Sequence, residues 1–310
     1  MALFYILVFP GFLFLIGFAL AGEWLDRKLH ALMQNRVGPP WFQPLADIIK
    51  LSAKEDTIPA QADRTVFKMM PLVALAATVV TILYIPLWNT RALNSFSGDL
   101  VVVMYLLTIP TLTFFLGGWF SRSLYSMVGA ARALTQLFAY EIPLLLSLLA
   151  PAMLANSWSI SEIAAFYSQR LYLVPVNIIG FMCAMIALLG KLERVPFDIP
   201  EAETEIVAGT FTEYGGRLLA LFRLCVDVEM IVGASLIAAI FLPFGLGLPA
   251  WLVFVLYLLK VEAIIFLISF LRTIMARLRI DQMVNFCWTI LAPLAFLQLV
   301  INLILKGVVQ

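Results

Sequence analysis

Six carboxylates fall within 27 residues of this chain, between Lys191 and Arg217. Carboxylates this closely spaced cannot all ionise without repelling one another, so their apparent pKa values spread and their protonation responds to nearby charge. The chemistry that such a cluster favours is the uptake and transfer of protons or cations. The six are Glu193, Asp198, Glu201, Glu203, Glu205 and Glu213.

Apolar residues are interleaved with these carboxylates, and two prolines interrupt the stretch. Pro196 and Pro200 lack backbone N–H groups and restrict the residues before them, so a regular helix cannot run straight through. Phe197, Ile199 and Phe211 indicate a loop folded against protein. A plainly solvated loop is the alternative, but an acidic cluster at a membrane edge is a candidate ion or proton path.

The elements that must position this cluster are membrane-spanning helices, as the composition indicates. The chain has 310 residues, of which 63% are hydrophobic and only 13% are charged. A soluble domain does not need that much apolar surface, whereas a polytopic membrane protein does. The sequence therefore predicts an all-α integral membrane protein that forms one polytopic domain over residues 1–310. The formal net charge of +1 argues against a nucleic-acid partner.

Eight apolar stretches are long enough to cross about 30 Å of hydrocarbon at about 1.5 Å per residue. The first has no basic region before it, so we expect a membrane span there and not a cleaved signal. The predicted spans are roughly 2–25, 69–88, 100–119, 133–155, 172–190, 217–242, 250–271 and 284–305.

Basic residues are strongly biased to one side of these spans. The connections after spans one, three, five and seven carry 15 lysines and arginines, and the opposite side carries three. Because positive residues favour the cytoplasm, both long connections, 26–68 and 191–217, are predicted to be structured cytoplasmic loops. Both chain termini are then expected outside, in a multi-pass protein of the cell membrane.

A short amphipathic helix is predicted after the break at 38–40, where a glycine and two prolines follow one another. Phe42, Leu45, Ile48 and Ile49 are interspersed there with polar residues, which is typical of a helix lying in the membrane interface. Such a helix is either a simple anchor or, together with the acidic loop, part of a docking floor for a soluble partner.

Ionisable side chains inside the spans need protein or water around them, because a charge at mid-bilayer costs roughly 3 kcal/mol or more. Arg223 and Asp227 are four residues apart on a predicted helix, so they either pair with each other or belong to a hydrated charge path. One histidine and three widely separated cysteines predict no metal site in this chain. The other ionisable residues assigned to the spans and their ends are Glu23, Glu141, Glu193, Glu229, Lys260 and Glu262.

Three loop motifs resemble one membrane-protein family. The runs ERVPFDIPEAETEIVAG and TFTEYGG, at 193–216, resemble the signature loop of the complex I membrane subunit that forms the quinone chamber. DRK and QNRVGP, within 26–39, resemble that family's first cytoplasmic loop, with Asp26 where a glutamate is usual. RLRIDQ at 277–282 resembles its loop between spans seven and eight. The resemblance covers nearly the whole chain in the same order.

Departures from the complex I pattern resemble a neighbouring branch of the family. Glu262 and the run MARLRIDQ, which lacks the usual Pro-Arg, look more like the membrane-bound nickel–iron hydrogenases and the ferredoxin-linked sulfur reductases. In span six the usual Ala-Glu-Tyr is replaced by CVDVE at 225–229, so a carboxylate is retained but displaced.

This resemblance implies a coupling role for the chain. It implies an acidic, hydrated funnel that links a redox site to ion-pumping membrane subunits, and a chamber mouth on which the peripheral electron-transfer arm docks. The implied ion path comprises Glu141, Glu193, Glu201, Glu203, Glu205, Glu213, Asp227, Glu229, Lys260 and Glu262. The implied chamber mouth comprises Arg27, Lys28, Arg36, Asp198, Arg277, Arg279 and Asp281.

The resemblance also implies that this chain alone binds no cofactor and carries no catalytic residue. Iron–sulfur clusters and, in the hydrogenase-like interpretation, a nickel–iron centre belong to partner subunits. The expected partners are peripheral iron–sulfur and hydrogenase-like subunits, antiporter-like membrane subunits and the lipid bilayer. Three alternatives stay open: a subunit that binds quinone in an NADH:quinone or other donor:quinone oxidoreductase, a stand-alone ion transporter, and a purely structural anchor.

Overall fold

The structure is a computed structural model that describes residues 2–309, with the side chains of Ala2, Glu203, Thr204, Val308 and Val309 outside the described part. Within these residues the secondary structure is helical, and eight helical segments are long and apolar enough to cross a membrane. The predicted all-α, eight-span membrane protein is confirmed.

The helices are named in chain order. They are α1 Ala2–Leu7, α2 Phe12–Met33, α3 Gln43–Ser52, α4 Arg64–Thr81, α5 Asp99–Phe120, α6 Leu124–Ala155, α7 Ile160–Gln169, α8 Ile178–Lys191, α9 Glu203–Ile206, α10 Gly216–Phe241, α11 Ala250–Ile274, α12 Ile280–Phe286 and α13 Ala292–Val309. A π-helical turn, Cys287–Leu291, joins α12 to α13 into one span.

Helix α2 extends beyond the predicted end of its span at residue 25 and continues to Met33. The first part of the predicted 26–68 loop is therefore helical, because no helix-breaking residue occurs before Gly38. Asn35 ends the turn in the left-handed conformation, with φ of 57°. Helix α6 likewise begins at Leu124 instead of residue 133.

The predicted short helix after the 38–40 break is present as α3. Pro44, near its start, has the fixed φ that favours helix initiation. Pro44, Ile48 and Leu51 share one face and line an internal cavity. Leu45 and Ile49 are exposed on another face, so α3 buries one apolar side and leaves another open.

Helix α10 lies at the centre of the bundle. Its apolar window is 83% buried, against 28% for Leu3–Met33 and 22% for Ile280–Gly307 at the periphery. It packs against α2, α4, α8 and α11. The two carboxylates of α10, Asp227 and Glu229, therefore face protein, not lipid.

The connections after the odd-numbered spans meet at one end of the bundle, which we call the loop face; the opposite end is the far face. Leu278 N–H donates to Pro196 O at 3.0 Å, and Ser126 Oγ donates to Thr210 O at 3.0 Å. Gly129 lets the backbone of the 192–215 connection lie against α6, since a Cβ there would come within 2.5 Å of Thr210 N. The acidic connection is thus folded onto helices, as its apolar residues predict.

Helix α13 carries a buried polar face towards the far face. Asn302 Nδ2 donates to Asn177 Oδ1 at 2.7 Å, and Gln298 Nε2 donates to Asn302 Oδ1 at 3.0 Å. Lys306 Nζ, one turn further on, donates to Asn156 Oδ1 at 2.6 Å. These amide contacts tie α13 to α6 and to the start of α8. Within a membrane, lipid tails are as apolar as the side chains, so apolar burial alone does not hold helices together there.

Candidate functional site

A cavity of about 650 Å³ opens at the loop face. Its walls come from α2, α3, α10, the start of the 192–215 connection and the 272–277 segment. Thirteen of its nineteen lining residues are charged, so it suits water and ions better than an apolar molecule. The charged residues are Glu23, Arg27, Asp47, Lys50, Lys54, Glu193, Arg194, Asp198, Glu201, Arg223, Asp227, Arg272 and Arg277.

Arg194 is the hub of the cavity wall. Its side chain is 10% exposed, and Nη2 lies 2.5 Å from Glu23 Oε2, while Nη1 bonds Asp26 Oδ2. Asp227 Oδ1 is 3.9 Å from the same guanidinium. Burial disfavours the charge on Arg194, but Glu23 and Asp26 outweigh that effect and raise its pKa above the usual value. The guanidinium stays charged and holds α2, α10 and the acidic connection together.

Asp26 is fully buried and accepts three donors. Besides Arg194, Arg272 Nη1 lies 2.8 Å from Oδ2, and Ser269 Oγ donates to Oδ1 at 2.5 Å. These contacts satisfy its charge without solvent. Asp26 therefore acts as a structural anion that locks α2 to α11.

Ion pairs lie at the rim of the cavity, one within α2 and others between elements. Arg27 lies 2.6 Å from Glu23 and 2.9 Å from Asp47 on α3. Arg277 Nε lies 3.1 Å from Asp198 Oδ1, which joins the 275–279 connection to the 192–215 connection. Such partly exposed pairs contribute little energy each, so they orient the loops and do not by themselves stabilise the fold.

Of the two alternatives left open for Arg223 and Asp227, the direct pair does not form. Arg223 Nη1 lies 3.5 Å from Glu201 Oε2, and Asp227 turns towards Arg194 instead. Spacing of i and i+4 brings two side chains within reach but does not select them over partners from other elements. Both residues line the cavity.

Glu193 follows the C-terminal end of α8 in an unusual conformation. Its φ of 50° lies in the left-handed region, where glycine is usual after a helix. Oε1 is buried without a hydrogen-bond partner among the described residues. Burial raises the pKa of this carboxyl well above its usual range, and the neighbouring Glu201 raises it further. Glu193 is thus a carboxyl that holds its proton at a pH where exposed glutamates have lost theirs.

A second ionic layer lies deeper in the bundle. Lys191 Nζ is 3.1 Å from Glu229 Oε1 and also donates to Leu107 O. The ammonium lies 5.7 Å from the ring centroid of Tyr140. Tyr140 in turn shares a 3.0 Å hydrogen bond with Thr111. Glu229 Oε2 has no hydrogen-bond donor within the described part of the chain, which leaves it free to accept a proton.

With the geometry described, the chain can be compared with known proteins. Residues 5–303 match the NADH dehydrogenase family. The chain belongs to that family. It is 34% identical over 302 residues to the H subunit of the NADH-quinone oxidoreductase of Bacillus cereus (strain B4264), an alignment that covers 94% of this chain and 90% of the relative. The same identity and coverage relate it to the corresponding protein of Bacillus thuringiensis (strain Al Hakam).

A solved structure shares the fold of this NADH dehydrogenase family member. It is a chain of the membrane-bound sulfane sulfur reductase (MBS), an archaeal respiratory membrane complex. The TM-score is 0.83 at 24% identity, over 94% of this chain and 96% of that one. The family assignment made from three loop motifs is confirmed.

Not all residues that the family resemblance implicates lie at the cavity. Glu205 is exposed and pairs with Arg132 at 2.6 Å, a contact that lowers its pKa. Glu213 is half-buried, and Glu141 Oε2 is buried without a donor among the described residues. Lys260 Nζ donates to Phe244 O at 2.5 Å near the far face.

The other implicated residues are distributed as follows. The side chain of Glu203 lies outside the described part. Glu262 lies midway along α11 and does not line the cavity. Lys28 Nζ is 3.5 Å from Gly38 O, and Arg36, Arg279 and Asp281 are exposed at the loop face.

Sequence reasoning missed the residues that hold this family member's cavity together. Asp26 is named in a family motif but without a role, and Lys191, Arg194 and Arg272 enter only the count of basic residues, although the four make its central ion pairs. One signal was available: Glu23, Asp26 and Arg27 have helical spacing, which places them on one face once α2 is extended.

Proposed function

We propose that this chain is the membrane-anchor and coupling subunit of a complex I-related respiratory oxidoreductase. It docks a peripheral electron-transfer arm at the loop face and links redox chemistry to H⁺ or Na⁺ translocation. The observation that carries the proposal is the two-layer arrangement of charge, with the open, charged cavity above and the fully buried Lys191–Glu229 pair below. Its membership of the NADH dehydrogenase family supports the same role.

Coupling follows from the different states of the carboxyls. Glu193 has a buried oxygen without a partner among the described residues, and its pKa is raised. A new negative charge near the cavity therefore favours its protonation, and removal of that charge favours release of the proton. Glu229 is held close to Lys191, so any proton that it accepts must displace that ion pair. A redox change in a docked subunit then shifts protons between Glu193 and Glu229, two buried carboxyls that differ in how readily they bind a proton.

The loop face has the composition of a docking surface for a soluble arm. Arg36 and Arg279 are exposed there, and Lys50 and Lys54 line the cavity that opens at this face. Exposed charges of this kind steer association and make it salt-sensitive, while contributing modestly to affinity. We expect iron–sulfur and hydrogenase-like subunits to occupy this face, and antiporter-like subunits to continue the ion path in the membrane.

For the terminal acceptor we favour the hydrogenase-like and sulfur-reducing branch. The support is the charged lining of the cavity, which offers an apolar quinone ring little besides the α3 face of Pro44, Ile48 and Leu51. That apolar face, together with 34% identity to a protein of a quinone oxidoreductase, makes quinone the second candidate. Turnover of the purified complex with a soluble quinone, and loss of that turnover in Ile48→Glu but not in Ile49→Glu, would favour quinone.

The experiment that tests coupling uses Glu193→Gln and Glu229→Gln in the assembled complex, with Glu162→Gln as control. Glutamine keeps size and hydrogen bonding but removes the titratable group. Glu162 lies near the far face, where it accepts from Ser157. We expect Glu193→Gln to assemble and to reduce an artificial acceptor, but to lose ion uptake into vesicles; the control keeps uptake. Glu229→Gln leaves the buried Lys191 charge without its carboxylate, so we expect a lower yield of complex, and ion uptake is compared per assembled complex. The assembly criterion is therefore applied to Glu193→Gln.

Three other outcomes would contradict the proposal. Fully coupled uptake in both glutamine variants and in their double variant would exclude these carboxyls from the path. Loss of the peripheral subunits in proportion to activity would favour a purely structural anchor. Purification of the chain alone in mild detergent, with intact ion transport, would favour a stand-alone transporter.

A further inference from the structure

One exposed face of α11 carries a carboxylate among large apolar residues. Val255, Leu259, Phe266 and Phe270 are exposed along it at helical spacing. Glu262, which is half-buried, lies on the same side of the helix, three residues after Leu259 and four before Phe266. We call this face the α11 stripe: Val255, Leu259, Glu262, Phe266 and Phe270. Its apolar members are 44–61% exposed, which is ordinary for a lipid-facing helix, but a carboxylate in their midst is not.

Glu262 is close to the middle of the membrane. It is the thirteenth residue of the 25-residue helix Ala250–Ile274, so about 18 Å of helix lies on either side of it. Its Oε2 atom is buried and has no hydrogen-bond partner among the described residues. An unpaired charge at this depth is unfavourable, and a neutral carboxyl without a partner also loses hydrogen bonding.

Cations on the surrounding elements are already engaged. Lys260 is two positions away, so it points to another side of the helix and reaches Phe244 O. On α2, Arg27 binds Glu23 and Asp47. Arg272, on α11 itself, binds Asp26.

The cations of the neighbouring α8 and α10 have other acceptors as well. Lys191 binds Glu229, Arg223 lies near Glu201, and Arg217 binds Asp56. Within the described part of the chain, therefore, each basic residue close enough in sequence or packing to approach Glu262 has a different partner.

We propose that the α11 stripe is an interface for a transmembrane helix of another subunit, and that this helix brings a lysine or arginine to Glu262 at mid-bilayer. Charge complementarity selects this occupant, because lipid tails have no donor and a second copy of the stripe would bring another carboxylate. The inference rests on the proposed function only in requiring a multi-subunit complex.

The test places a photo-crosslinking residue at Leu259, and separately at Phe266, in the complete complex isolated from its own membranes. We expect an adduct with a membrane subunit whose cross-linked helix carries Lys or Arg at the depth of Glu262. Glu262→Lys should reduce the adduct yield at least tenfold, and changing the partner's basic residue to glutamate should restore it. Glu162→Lys, a matched reversal near the far face, should leave the yield unchanged.

The wild-type adduct is informative even if a variant at Glu262 fails to assemble. Adducts only with lipid, adducts with a second copy of this chain, or a cross-linked helix without a basic residue would overturn the inference. So would an adduct yield that Glu262→Lys does not change. None of these results depends on ion uptake in Glu193→Gln, so failure here and failure of the coupling proposal are distinguishable.

Discussion

Lys191 Nζ lies 3.1 Å from Glu229 Oε1, and the two side chains are 1% and 0% exposed. The pair joins the last turn of α8 to the middle of α10, the most buried helix of the bundle. The attraction between the two charges compensates the free energy lost when both are removed from water. Because both side chains are shielded from solvent, water cannot take the place of a missing partner. The stability of this region therefore depends on both charges being present or both being absent.

Removing one member of this pair should be costly. We expect Lys191→Met to destabilise the protein by about 3–5 kcal/mol, since Glu229 is then left buried and unpaired. The double variant Lys191→Met/Glu229→Leu should recover most of that loss. Thermal unfolding in detergent measures both. As control, Arg223→Met removes a partner that is 52% exposed and should cost less than about 1 kcal/mol. A double variant no more stable than Lys191→Met would contradict the account.

Glu193 should make stability depend on pH in a definite direction. Its folded-state pKa is raised, so between the unfolded value of about 4.3 and the folded value the native state binds more protons than the unfolded chain. Stability contributed by the neutral carboxyl is full below about pH 4.3 and is lost as pH rises through this window. We expect Tm of Glu193→Gln to exceed that of the wild type increasingly as pH rises. A constant difference in Tm at all pH values would show that Glu193 titrates normally.

Arg194 should not be replaceable by lysine. Its guanidinium contacts Glu23 and Asp26 at once, a geometry that a single ammonium cannot reproduce. We expect Arg194→Lys to lower stability by at least about 2 kcal/mol, because one buried carboxylate loses its donor. Arg223→Lys, at a looser and more exposed contact, should change stability by less than about 1 kcal/mol. Equal Tm shifts in the two variants would argue against Arg194 as the hub.

Gly209 should be essential for the shape of the acidic connection. Its φ is 53°, and a Cβ there would lie 1.6 Å from Pro200 O, a backbone atom that cannot move aside. We expect Gly209→Ala to abolish recovery of monodisperse protein on size-exclusion chromatography. Gly247→Ala, where no atom lies within 4 Å of the new methyl group, should behave as wild type. Normal recovery of Gly209→Ala would mean that the connection adopts another conformation.

The orientation of the bundle is also testable. The excess of basic residues at the loop face predicts that this face is cytoplasmic. Reporters fused after Ala60 or Ala208 should therefore be cytoplasmic, and those fused after Ser95 or Ser168 should be external. Protease protection in membrane vesicles gives the same information independently. An external reporter at either loop-face position would contradict the docking proposal, which requires this face to be cytoplasmic.

The sequence predicted the spans and α3 well, because long apolar stretches and amphipathic spacing depend on residues close together in the chain. The bounds of α2 and α6 were less accurate. Their polar extensions past the membrane edge keep helical geometry but lose the apolar signal, so composition marks the edge of hydrocarbon and not the end of the helix.

The cavity could be predicted only in part. The carboxylates of 193–213 were visible as a cluster, but the partner of Glu23 is Arg194, 171 residues away. Local spacing left a pair between Arg223 and Asp227 open, whereas the fold gives each residue a different partner. Which charges pair is decided by helix packing, and a single sequence without contacts does not contain that information.

The π-helical turn Cys287–Leu291 determines the register of everything that follows it. A π turn accommodates one residue more than an α-helical turn, so deleting a residue there would rotate the rest of the span by about 100°. Gln298 and Asn302 would then swing from Asn177 towards the hydrocarbon. The extra residue sets the rotation of the far-face half of this last span relative to its loop-face half. Each half can then present its polar or packing side to its own neighbours. A sequence alignment that places a one-residue gap within 287–291 would therefore assign relatives a last span whose inward-facing side chains beyond the turn are rotated away from their partners.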